Sequence, residues 1–132
     1  SVDIKNKNLL LQMDIEGKEY ECISALKEEN LQRFKIIIIE FHYFDQVFNH
    51  FSYELINSTI NKLLKHFEVA HIHPNNIDGM YGIKDVIVPA VLEITFLRKD
   101  LVLEKNKTIL PHKLDKKNSE KNKDIKLSSD WY

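Results

Sequence analysis

Asp14, Glu16, Glu40 and His42 are acids and an imidazole spaced two apart, and each pair follows a run of apolar residues. Leu9-Leu10-Leu11-Gln12-Met13 runs into Asp14-Ile15-Glu16-Gly17, and Ile36 to Ile39 runs into Glu40-Phe41-His42. A third run, Val69-Ala70, enters His71-Ile72-His73-Pro74-Asn75-Asn76. Residues two apart on a strand face the same way, so Glu40 and His42 can pair, with the carboxylate orienting the ring as a base. Such a group held beside an acceptor hydroxyl can position it and take its proton as it attacks an electrophile. His73, Asn75 and Asn76 both donate and accept hydrogen bonds, which suits a polar ligand such as a sugar.

Each of these residues also has a structural reading. Asp14 and Glu16 can end a strand and cap the helix that follows. Glu40 can cap a neighbouring helix while His42 sits at the rim of the core, and Asn75 and Asn76 can form a turn after Pro74. His42, His71 and His73 together invite a metal reading, because imidazole is the commonest metal ligand. Paired histidines on a strand are more often rim residues, so no metal is expected. Glu93 stands in an otherwise apolar run and needs a partner if it is buried.

Positioning these groups requires strands that end together. Residues 8–14 read as a first strand, 35–42 as a second rich in β-branched isoleucine, 68–73 as a third and 91–98 as a fourth that Pro89 opens. Between them, Lys18 to Glu29 carries Tyr20, Ile23 and Leu26 at helical spacing, with Glu19 and Glu21 in the first turn. A second helix, capped by Ser52, carries the stripe Leu55/Ile56, Thr59/Ile60, Leu63/Leu64 and Phe67. Residues 74–82 read as a loop without a helix, so the third and fourth strands are expected to pair antiparallel. The fold class expected is α/β: parallel strands with helices plus a terminal antiparallel strand pair. In such sheets ligands bind beyond the carboxyl ends of the strands, where the polar clusters emerge.

The 132 residues, 43% hydrophobic and 30% charged, fit one globular domain. Residues 1–100 are expected to form it and 101–132 a tail, because lysine and asparagine dominate from Lys105 to Lys126; Trp131-Tyr132 could dock that tail. A net charge of −1 gives no reason to expect nucleic acid or an anionic membrane as partner. The lone Cys22 excludes an intrachain disulfide and, with no apolar run long enough to span a bilayer, points to the cytoplasm. A start without methionine close to a strand suggests the later part of a longer protein.

Met13-Asp14-Ile15-Glu16-Gly17-Lys18-Glu19-Tyr20 resembles the I-D-V-E-G-x-E-x motif of FkbM-type S-adenosylmethionine-dependent methyltransferases. Ile39-Glu40-Phe41-His42 resembles their next strand, and His73-Pro74-Asn75-Asn76 with Pro89 and Leu92-Glu93-Ile94-Thr95-Phe96 their closing hairpin. The resemblance covers residues 8–98 and implies the C-terminal half of a Rossmann-like domain. It implies S-adenosylmethionine as cofactor, with Asp14 and Glu16 beside it, and methyl transfer to an oxygen of a saccharide or similar polar metabolite. Asp14 and His42 become the candidates for positioning or deprotonating the acceptor, with Glu40, His73, Asn75 and Asn76 as substrate contacts. The chain departs from the family in its glycines, found only at 17, 79 and 82. None makes a Gly-rich turn between a strand and a helix of the cofactor-binding kind, so the chain alone is expected to hold the cofactor weakly. The rival expectation is a non-catalytic binding or assembly module on the same sheet, self-associating through an exposed edge.

Overall fold

The computed structural model describes residues 8–104 and 110–131. Strand β1 (Leu9–Met13) leads through an acidic loop to helix α1 (Glu19–Ala25) and a single helical turn, α2 (Glu28–Leu31). Strand β2 (Phe34–Phe41), a 3₁₀ turn over Phe44–Phe48, helix α3 (His50–Leu64) and strand β3 (Phe67–Pro74) follow. A small hairpin, β4 (Met80–Ile83) and β5 (Val86–Pro89), precedes the last strand, β6 (Leu92–Arg98). The main sheet has the order β1-β2-β6-β3.

Among the described residues only β1 and β2 form a parallel ladder; β6 lies between β2 and β3 and runs antiparallel to both. β2 and β3 therefore point the same way without pairing, and the sheet is mixed, as parallel strands with a terminal antiparallel pair would be; the pairing of β6 with β2 as well as β3 is the feature not expected. The expected antiparallel pairing of the last two strands of the sheet is present. Register explains why β6 fits there. Phe41, Ile39 and Ile37 lie opposite Leu92, Ile94 and Phe96, all six are buried, and directly opposed residues share a face. Tyr20 and Ile23 of α1, with Ile56 and Leu63 of α3, complete this core.

Three local expectations change. The helix read over 18–29 breaks at Leu26, whose backbone is extended. The ammonium of Lys62 donates to the carbonyls of Ile23, Ser24 and Leu26, satisfying acceptors that a helix end leaves without partners. The cap of α3 is Asn49, not Ser52: its Oδ1 accepts from the N–H groups of Phe51 and Ser52. Pro89 closes β5 instead of opening β6, because residues 80–89, including the end of the loop read over 74–82, form the hairpin. That hairpin turns at Lys84-Asp85, with Lys84 at φ 53°, and lacks the Asn-Gly pair that marks such turns most strongly.

The tail packs back on the body over its described part. Leu110 and Leu127 are buried, Asp115 accepts from His71 at 2.8 Å, and Trp131 stacks obliquely on Phe44 with ring centroids 6.3 Å apart. Residues 105–109 and Tyr132 lie outside the described residues. Among the described residues no helix is long and apolar enough to cross a membrane.

Candidate functional site

The loop from β1 to α1 is wound around one carboxylate. Glu19 is fully buried, and its Oε1 accepts from the backbone N–H of Ile15 and of Gly17, both at 3.1 Å. The same oxygen takes a third bond from His42 Nδ1 at 3.0 Å. To reach round the side chain, the backbone passes through left-handed conformations at Glu16 (φ 56°) and Gly17 (φ 99°), the second of which favours glycine. The space beside Gly17 is filled as well: a Cβ there would stand 2.6 Å from the Tyr43 ring.

β2 delivers His42 to the same place. Its carbonyl accepts from the Tyr20 hydroxyl at 3.0 Å, and the chain then turns through Tyr43 at φ 55°. An ionised carboxylate only accepts, so the bond to Glu19 assigns the proton to Nδ1 and turns Nε2 outward. Nε2 lies 3.8 Å from Asp14 Oδ1 and 3.5 Å from Glu16 Oε2. The His42 side chain is 14% exposed, whereas those of Asp14 and Glu16 are 53% and 87% exposed. A largely buried imidazole thus presents one nitrogen to two wet carboxylates.

The electrostatics follow from this packing. Burial pushes the Glu19 carboxyl upward, but its own N–H, those of Gly17 and Ile15, and the His42 bond outweigh it and leave the pKa below the usual value. Burial pushes His42 downward; the Glu19 hydrogen bond and the charges of Glu19, Glu16 and Glu40 reverse that and raise it. Tyr20 is raised, first by burial and then by the charges of Glu19 and Asp45.

The structure brings Asp14, Glu16 and His42 together and replaces the anticipated Glu40–His42 pair. Glu40 instead accepts from Asn75 Nδ2 at 2.6 Å, and Glu19 orients the imidazole. The sequence shows Glu19 only as an acid in a helix's first turn; its place in the D-x-E-G-x-E run was the available signal. The other candidates lie further along the sheet. His73 sits opposite Glu93, which sits opposite Glu40, making one row across β3, β6 and β2, and His73 Nε2 is buried without a partner. Asn75 Oδ1 accepts from Ile77 N–H at 2.9 Å. Asn76 is held by the tail: its Nδ2 donates to the Ser119 carbonyl and its Oδ1 accepts from the Ser119 N–H, each at 2.8 Å. His71, bonded to Asp115, belongs to neither group.

On the helix side of the cluster, Tyr20, Tyr43, Leu55 and Ile56 with Gly17, Gln46 and Ser52 line a cleft of about 260 Å³. This is below the ~300–1,000 Å³ of ordinary small-molecule pockets, so it suits a substituent more than a whole cofactor.

The FkbM methyltransferase domain family matches residues 2–74, more than half of the chain and all of the Asp14–Glu16–Glu19–His42 cluster. The chain belongs to that family. No curated protein and no solved structure matches it. Asp14 of the first anticipated motif and His42 at the end of the next strand both fall within the matched stretch and converge in space.

Proposed function

We propose that this FkbM-family chain is the acceptor-side half of a Rossmann-like, S-adenosylmethionine-dependent methyltransferase acting on an oxygen of a saccharide or similar polar metabolite. The observation that carries the reading is His42 Nε2 facing Asp14 and Glu16 while Glu19 holds Nδ1, inside the region the family matches. The strand order adds support, because β1, β2 and β3 point one way with β6 reversed between the last two.

The donor set fits the reacting end of such a cofactor. Asp14 and Glu16 are exposed carboxylates that can lie beside a sulfonium and offset its charge. The glycine turn of the cofactor-binding kind is not furnished by these residues, since the space beside Gly17 is taken by Tyr43. When bound, S-adenosylmethionine supplies an electrophilic methyl group. His42 Nε2 is placed to accept the proton of an acceptor hydroxyl, and Glu19 stabilises the imidazolium that results. Asp14 positions the acceptor by accepting from a second, neighbouring hydroxyl. Glu40 and His73 extend the polar row along which the rest of the acceptor lies, while Asn75 fixes Glu40 and Asn76 fixes the tail beside it.

Transfer of labelled methyl from excess S-adenosylmethionine to a panel of saccharides tests this. His42→Ala is expected to lower the rate about 100-fold or more, as loss of a general base does. Equal transfer by the chain and by His42→Ala would refute the role.

A second reading, a non-catalytic assembly module, is favoured by the exposed Tyr81, Ile83, Val86 and Ile87 of the β4–β5 hairpin and by exposed Leu10 on edge strand β1. Light scattering that shows a stable dimer, together with no methyl transfer to any acceptor, would select it.

A further inference from the structure

We propose that Asp14, Glu16 and His42 bind a divalent transition-metal cation, with Glu19 orienting the imidazole from behind. One ligand atom from each of the three residues lies within 4.8 Å of the others. Nε2 is 3.8 Å from Asp14 Oδ1 and 3.5 Å from Glu16 Oε2. Ligands held about 2.0–2.2 Å from one ion lie roughly 3–4 Å from each other, so small rotations of two exposed acids would close the shell.

The orientation of His42 makes this more than a group of acids. With Nδ1–H committed to Glu19, Nε2 faces two carboxylate oxygens, an arrangement that calls for a positive charge between them, either a proton on Nε2 or a cation that displaces it. Carboxylate–imidazole–metal relays have this form: the outer carboxylate fixes the tautomer and raises the basicity of the ligating nitrogen. A second and independent observation concerns Glu19 itself. Its side chain is fully buried and reaches into the cluster, and its Oε2 has no hydrogen-bond partner. That negative charge behind His42 favours a cation in front of it.

The ligand set favours the borderline cations. Carboxylates suit Mn²⁺ and Mg²⁺, imidazole suits Zn²⁺ and Fe²⁺, and one imidazole with two carboxylates selects Mn²⁺ or Zn²⁺ over the all-oxygen preference of Mg²⁺ and Ca²⁺. Three protein ligands on an exposed rim leave positions open for oxygen donors from solvent or substrate. If the methyl-transfer reading holds, the ion would take the Nε2 position that His42 otherwise offers as a base, orient the acceptor oxygen and ease loss of its proton to solvent. The binding does not depend on that reading and can be measured without cofactor or acceptor.

The test is titration of the chain with Mn²⁺, read by the paramagnetic resonance signal of the free ion, with Zn²⁺ as competitor. One ion per chain is expected, displaced by Zn²⁺ and not by equimolar Mg²⁺. Asp14→Asn and His42→Ala should each weaken binding about 10- to 100-fold, and Glu19→Gln by a similar factor because the imidazole loses the carboxylate that orients it. His50→Ala, which removes an exposed imidazole at the start of α3, should leave it unchanged. Circular dichroism shows which variants fold, and Asp14→Asn, altering an exposed group, secures the comparison if His42→Ala does not. Absence of stoichiometric binding up to millimolar Mn²⁺ and Zn²⁺, or binding that Asp14→Asn leaves intact, would overturn the proposal.

Discussion

Glu19 Oε1 and His42 Nδ1 are 3.0 Å apart and join the loop that leaves β1 to the turn that leaves β2. One oxygen atom thereby fixes both walls of the candidate site. Shape and charge can be separated there by two substitutions. Glu19→Ala leaves the N–H groups of Ile15 and Gly17 and the imidazole without their acceptor, and each such loss costs about 1–3 kcal/mol. Glu19→Gln keeps an acceptor oxygen for the two N–H groups but removes the charge. Urea denaturation should therefore find the alanine variant clearly the less stable, while both variants lose methyl transfer.

The same pair sets a pH dependence with two limbs. Glu19 titrates lower folded than unfolded, so the stability it contributes is present above its ordinary value of 4.5 and is lost as pH falls through its depressed folded value. His42 titrates higher when folded, so its contribution is complete below 6.5 and fades as pH rises through its elevated folded value. Their combined contribution should peak between those two ordinary values. Chemical denaturation across pH should show the alkaline limb flattened in His42→Gln and the acid limb flattened in Glu19→Gln.

Helix capping gives a cleaner contrast. Asn49 Oδ1 bonds the N–H groups of Phe51 and Ser52, so Asn49→Ala should cost about 1 kcal/mol. Ser52→Ala, which replaces an ordinary residue of the first turn of α3, should be close to neutral in the same thermal or urea melts. Equal losses at both positions would contradict the capping geometry.

The cap also shows what the sequence could reveal. Strands at Leu9–Met13, Phe34–Phe41, Phe67–Pro74 and Leu92–Arg98 lie within two residues of their expected bounds, because β-branched runs flanked by polar clusters carry a strong local signal. The cap was misplaced by three residues because asparagine and serine are equal candidates and only hydrogen bonding separates them. The antiparallel pairing of β6 with β3 followed from a connection lacking a helix. The insertion of β6 beside β2 did not, since strand order rests on packing between residues 50 or more apart. Asp14 and His42 were legible as strand-end groups. The role of Glu19 was hidden, because nothing in a first-turn glutamate says that its side chain turns back under the preceding loop.

Gly17 and Tyr43 form a close steric pair that can be tested as a unit. Gly17→Ala places a Cβ 2.6 Å from the Tyr43 ring in a backbone held at φ 99°, and both effects destabilise, together by roughly 1–3 kcal/mol. Tyr43→Gly removes the ring and suits the left-handed backbone at residue 43. The double variant should lose less than the sum of the single losses, because the clash is gone while the strain at 17 stays. Additive losses in urea denaturation would mean that the ring moves aside at little cost.

Asn76 ties the tail to the body. Its side chain exchanges two hydrogen bonds with Ser119, and Asn122 Nδ2 donates to its carbonyl at 2.8 Å. Removing the amide by Asn76→Ala leaves the backbone N–H of Ser119 without its acceptor and loosens the segment, which the Asn122 bond to the residue-76 carbonyl, the His71–Asp115 bond, buried Leu127 and Trp131 on Phe44 still hold. The bonds from Asn76 are local to the tail, whereas the sheet core of Ile37, Ile39, Phe41 and Phe96 is untouched. Limited proteolysis should thus cut Asn76→Ala within residues 112–124 several-fold faster than the parent, with little change in the global unfolding midpoint. A fall in that midpoint with no faster cleavage would show instead that Asn76 supports β3 and not the tail.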